Sequence, residues 1–131
     1  KKYLNLLIFF WKKTLMPIKV FFNNSCKICK AEINHYKKLC RNNIEWIDIT
    51  NNLTAQKMTS KPYEELLKKI HIISDNKLVS GADAFLIIWK NIPRYEFLYK
   101  IFKKPFFFQV LKNIYRIAAY ILFIKNKKLL K

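Results

Sequence analysis

The sequence contains a single glycine, Gly81, and only eight acidic residues against 26 lysines and arginines. Its three cysteines are an odd number, which suits neither a secreted disulfide framework nor a four-thiolate zinc site. No apolar run approaches the roughly 20 residues needed to span a bilayer, and the stretches 4–11 and 114–124 both fall short. Lys12 and Lys13 follow the first of these directly, with no small-residue cleavage site, so it does not read as a secretory signal. Repeats, linkers and low-complexity tracts are missing too, and 131 residues fit one domain with its own core.

What is there is 52% hydrophobic and 16% aromatic, the composition of a globular rather than a disordered chain. A net charge of +18 invites a polyanionic partner. Lysine far outnumbers arginine, however, and isoleucine, asparagine and phenylalanine are abundant, the bias that AT-rich coding imposes. Much of the charge is therefore read as solvated surface. We expect no nucleic-acid partner and at most a weak association with an anionic membrane surface. An odd thiol count with one close pair suits a reducing, cytoplasmic setting. Position 1 is not methionine, whereas Met16 directly precedes the first convincing strand. Residues 1–15 are accordingly expected to be an N-terminal extension outside a single functional domain, 16–131.

Ile18 to Phe22 is a β-branched and aromatic run stopped by "NNS". From Cys26 to Arg41 the apolar positions Ile28, Cys29, Ile33, Tyr36, Leu39 and Cys40 follow helical spacing, with Ser25 as the expected N-cap. Residues 44–49, "IEWIDI", alternate as a half-buried strand. "PYEELLKKI" starts a helix at Pro62 with acidic residues in its first turn. "IHIIS" and "KLVS" flank "DN" as a hairpin. A helix then runs from Gly81 or Ala82 to about Lys90, with Ser80 and Asp83 spaced as a capping box. From about Arg94 two aromatic-rich helical segments are separated at Pro105. The first strand, helix and strand imply a parallel pair with a right-handed crossover, and the hairpin adds an antiparallel strand. The expected fold is α/β, a thioredoxin-like mixed four-stranded sheet flanked by helices, with an aromatic-rich C-terminal helical extension.

Cys26 and Cys29 sit where such a fold turns from strand to helix, and three readings compete for them. In the first they are a redox pair. Unpaired amides at a helix start, the helix dipole and Lys27 would lower the Cys26 thiol pKa. Three residues on, Cys29 would lie on the same face within bridging distance, more buried and suited to resolving. In the second, Cys26, Cys29, His35 and Cys40 approach a zinc-knuckle spacing. A knuckle needs glycine-assisted turns, though, and a helix would part Cys29 from Cys40 by about 16 Å along its axis. In the third the sulfurs are small core residues. That suits Cys40, on the packed face, better than Cys26, which lies outside the apolar stripe. His35 and His71 read as structural.

With these residues the chain resembles the DCC family of thiol-disulfide oxidoreductase-like proteins, whose motif has the form Asp-Gly-x-Cys-x-x-Cys after the first strand. "FFNNSCKIC" matches it with Cys26 and Cys29, "HIISDNKLVSGADAF" matches a hairpin leading into Gly-x-x-Ala at Gly81 and Ala84, and Tyr115, Ile117 and Ala118 match a late Tyr followed by Ile-Ala. The resemblance spans about residues 18–124. It departs from the family pattern at Asn23 and Asn24, which replace Asp and Gly, and at Ile121, near an expected arginine. Asn24 is able to take a left-handed backbone much as glycine does, and Asn23 cannot carry charge. No proline precedes "IHIIS" where thioredoxins keep a cis-proline.

The resemblance implies a protein-disulfide reductase or related thiol-disulfide oxidoreductase acting on a disulfide-containing protein or a small-thiol substrate. Cys26 would be the nucleophile, Cys29 the resolving thiol and the two together the redox disulfide, without cofactor or metal. Asn23, Asn24, Ser25, Lys27 and Gly81 would support them. The competing expectation is a basic nucleic-acid- or membrane-surface-binding module with structural or zinc-bound cysteines. Oligomeric state is left open.

Overall fold

A computed structural model describes residues 17–40 and 43–127, so the extension expected over 1–15 lies outside the described residues. The element order is β1 (Ile18–Phe22), α1 (Lys27–Leu39), β2 (Ile44–Asp48), α2 (Leu53–Thr59), α3 (Tyr63–Lys68), β3 (His71–Ser74), β4 (Lys77–Ser80), α4 (Ala82–Lys90), a short 3₁₀ turn (Pro93–Tyr95), α5 (Glu96–Phe102) and α6 (Pro105–Asn126). The strands form one sheet in the order β2-β1-β3-β4. β1 runs parallel to β2, with Val20 opposite Trp46, and antiparallel to β3, with Val20 opposite Ile72.

β1 is the central strand, and its residues alternate between two cores because side chains alternate across a strand. Val20 and Phe22 enter a cluster with Ile33 and Tyr36 of α1, Ile72, and Ala84 and Ile88 of α4. Phe21 faces the other way, into Ile49, Ala55 and Leu66 beneath α2 and α3. Burying a side chain such as Ile33 contributes about 2 kcal/mol, enough to make α1 dock by its Ile33–Tyr36 face. The β3–β4 hairpin turns at Asp75 and Asn76, whose φ of 52° and 64° are those of the turn type that matches strand twist.

Three local expectations are corrected. Cys26, not Ser25, is the N-cap of α1. Gly81 is the N-cap of α4 and no side-chain cap hydrogen bond forms there, so Ser80 and Asp83 make no capping box. Residues 53–59, to which the sequence assigns no element, form α2, capped by Asn52 through a 3.0 Å bond from the Ala55 N–H and closed by Ser60 at φ 55°. A fourth difference is length: Pro105 starts a helix of 22 residues, so the late apolar segment is long and apolar enough to cross a membrane by length and composition.

Candidate functional site

The loop from β1 to α1 is held by the end of β2. Asp48 Oδ1 accepts the N–H of Asn24 at 3.1 Å and that of Thr50 at 3.0 Å. Buried Asn23 accepts the Ser25 N–H at 3.0 Å and the Thr50 hydroxyl at 3.5 Å on its side-chain oxygen. Its carbonyl takes the Cys26 N–H at 3.3 Å. The Ser25 hydroxyl is drawn to Thr50 Oγ1, 3.0 Å away, which leaves the cap to its neighbour. Asn24 does not take a positive φ, so the glycine-like backbone it could have supplied is not used.

Cys26 therefore closes the helix with its sulfur: Sγ accepts the Cys29 N–H at 3.3 Å. Burial pushes the Cys26 thiol up. Hydrogen bonds to its thiolate from the Cys29 thiol and N–H, the Asn126 side chain and the Ile28 N–H outweigh burial, so the net shift is downward. Lys27 is exposed, and hydrogen bonds rather than its charge carry the fall. Cys29 moves the opposite way. Burial, the hydrogen bond it gives to Cys26, and the charges of Cys26 and Glu32 push it up to about 12. All three cysteines are free thiols.

Surface access reverses the expected order. Cys26 is only 4% exposed, while Cys29 is half-buried and opens on a cleft of about 280 Å³ between α1, α3, α4 and α6. The Asn126 side chain, at the end of α6, reaches the Cys26 sulfur from a hundred residues away in sequence. Burial nonetheless governs the Cys29 thiol, which is pushed up, whereas at Cys26 hydrogen bonds outweigh it.

Sequence spacing passes over Glu32, one helical turn beyond Cys29 and a lining residue of the same cleft. Glu32 Oε1 accepts the Tyr36 hydroxyl at 2.8 Å, and Tyr36 in turn accepts the Trp89 indole N–H at 3.2 Å. Burial raises the Glu32 pKa against the lowering effect of the Tyr36 bond. Tyr115 forms another part of the cleft wall and accepts the Ile70 N–H at 2.8 Å. Gly81 is not brought to the cysteines. It lines a separate, larger cavity of about 710 Å³ that shares Tyr115 with the cleft. Its φ is +74°, and a Cβ there would stand 3.4 Å from Tyr115 Cε1.

Cys40 caps the far end of α1, so the helix holds it and Cys29 apart and the zinc-knuckle set is not assembled. Among the described residues no group of three or more His, Cys, Asp or Glu is placed to hold a metal. His35 pairs with the Tyr95 hydroxyl, and His71 Nδ1 with the Lys69 carbonyl at 2.9 Å, both structural contacts.

Residues 20–124 match the family model described as DCC1-like thiol-disulfide oxidoreductase. No curated protein and no solved structure matches the chain. The mixed four-stranded sheet flanked by helices is α/β and thioredoxin-like, consistent with that family.

Proposed function

The chain belongs to the DCC1-like thiol-disulfide oxidoreductases, enzymes of thiol-disulfide exchange, and from that premise we propose which atoms perform the exchange and in what order. The Cys26 thiolate attacks one sulfur of a substrate disulfide, forming a mixed disulfide and releasing the other sulfur as a thiolate. Cys29 then gives its proton to the Glu32 carboxylate and attacks the Cys26 sulfur. That closes the Cys26–Cys29 disulfide and releases the second substrate thiolate. The substrate gains two electrons, the pair loses two, and the reverse sequence oxidises a dithiol. Solvent protons complete the released thiolates.

The observation that carries this reading is the 3.3 Å hydrogen bond from the Cys29 amide to the Cys26 sulfur, with the two thiols displaced in opposite directions. A lowered pKa enlarges the thiolate fraction of Cys26 at any given pH. A raised one keeps Cys29 protonated until the first step has removed the negative charge beside it. With an uncharged Asn23 in the loop, Glu32 is the carboxylate on the Cys29 side of the cleft. Asn23, Asn24 and Ser25 support the pair by fixing the loop, Lys27 by steering acidic substrates, and Gly81 through Tyr115.

The substrate is a disulfide-containing protein or a small thiol. Equilibration against a defined glutathione redox buffer, followed by thiol counting on peptides 26–29, tests the reading. A single two-electron transition confined to Cys26 and Cys29 is expected, and two independently reacting thiols would refute it.

A further inference from the structure

We propose that α6 docks the protein in the plane of an anionic membrane surface, through a second apolar face that no described residue covers. A helix repeats every 3.6 residues, so α6 divides into three sectors. Phe108, Leu111, Tyr115, Ala119 and Leu122 turn toward the body and are half-buried. On the opposite side Phe106, Val110, Ile117, Ile121 and Ile124 share one face and all are exposed, Phe106 by 73% and Ile117 by 62%, with exposed Ile114 at the edge where that face meets the cleft. Lys112, Asn113 and Arg116 occupy the sector between. Phe97 and Ile101 of α5 add to the uncovered apolar surface. An exposed patch of this kind marks an interaction site.

Charge chooses the occupant. From Phe97 to Lys131 the chain has nine lysines and arginines and no aspartate or glutamate. Lys103 and Lys104 precede α6, Lys112 and Arg116 flank its middle, and Lys125 and Lys127 follow at its end. An apolar stripe edged by cations matches the boundary between acyl chains and anionic headgroups. A second copy of a +18 chain would bring like charges together instead. The helix is long enough to cross a bilayer, but its inner stripe is committed to the body and Lys112 and Arg116 sit mid-helix. It therefore lies in the interface and does not span. This inference is independent of the redox chemistry.

Co-sedimentation of the full chain with phosphatidylcholine vesicles, with and without phosphatidylglycerol, tests the proposal. Binding is expected to vesicles containing phosphatidylglycerol and to fall about tenfold or more on them with added salt or in Ile117→Glu/Ile121→Glu. That double variant should exchange a small disulfide as the parent does, which shows it is folded. Lys103→Ser/Lys104→Ser should weaken the same binding while leaving apolar contacts intact. No binding, or equal binding by the apolar-face variant, as a purely ionic interaction with any polyanion such as RNA would give, overturns the proposal. So does a parent dimer that the variant dissociates without loss of vesicle binding.

Discussion

The Cys29 amide donates to the Cys26 thiol across 3.3 Å, so one cysteine of the pair caps the helix that carries the other. Structure and chemistry at Cys26 are thereby separable. Serine is a good N-cap and alanine is not, by about 1 kcal/mol. Cys26→Ser should keep the parent melting temperature, and Cys26→Ala should lose roughly 4 °C. Both should lose disulfide exchange. Equal melting temperatures for the two variants would mean that the sulfur does not cap α1.

The opposed thiol pKa values set a pH pattern. With the Cys26 pKa below its ordinary value and that of Cys29 pushed up to about 12, alkylation in a Cys40→Ser background should label Cys26 at pH 7 and leave Cys29 almost untouched. Cys26 labelling should persist below the ordinary thiol pKa. Because the Asn126 side chain donates to the Cys26 sulfur, Asn126→Gly should remove that donor and shift the labelling profile to higher pH. Mass spectrometry of the two labelled positions measures both effects.

Glu32→Gln isolates the proposed proton acceptor. Glutamine preserves the acceptor for the Tyr36 hydroxyl but cannot take a proton, so collapse of the mixed disulfide should slow by roughly 100-fold while its formation is unchanged. Stopped-flow measurement of the two phases distinguishes them. The stability sign is also determined. A carboxyl whose folded pKa lies above its unfolded value binds protons more tightly when folded, so it costs stability as pH rises through that window. Glu32→Gln should therefore match or exceed the parent melting temperature at neutral pH. A marked drop would show that Glu32 serves the fold as an ion.

Gly81→Ala meets a backbone obstacle, a φ of +74° with ψ of −142°, while the new Cβ would rest in contact with the Tyr115 ring at 3.4 Å. A loss of about 1 kcal/mol or more is expected, read as a fall of several degrees in melting temperature. Tyr115→Phe, which removes the acceptor of the Ile70 N–H, should cost about 1 kcal/mol as well. The two losses should combine less than additively, because the Tyr115 ring packs on Gly81 and its hydroxyl takes the N–H of Ile70, whose carbonyl accepts the Gly81 N–H at 3.0 Å. Strict additivity would contradict the link between Gly81 and Tyr115.

The sheet is legible in the sequence because its signals are local. Val20, Phe21 and Phe22 lie in an unbroken β-rich run, residues 44–49 read as a half-buried strand, and "DN" marks the hairpin turn. The CxxC pair is legible for the same reason: strand, turn and helix meet within ten residues. The cap is not, since Ser25 and Cys26 are adjacent candidates and the choice depends on Thr50, which takes the serine hydroxyl. α2 escapes because it has seven residues with little apolar periodicity, and its cap is one asparagine among neighbours. The reach of Asn126 to the Cys26 sulfur is a long-range contact with no local trace. Glu32 is the opposite case. Its spacing from Cys29 is visible, and only its depth and its Tyr36 partner give that spacing meaning.

The central claim is that Cys26 attacks and Cys29 resolves. Cys29→Ser should accumulate a one-to-one mixed disulfide with a small aromatic disulfide, mapped by mass spectrometry to Cys26, because no thiol remains to displace it. Cys26→Ser should form no such adduct on Cys29 under the same conditions. An adduct mapped to Cys40, or an equal adduct on Cys29 in Cys26→Ser, would contradict the assignment.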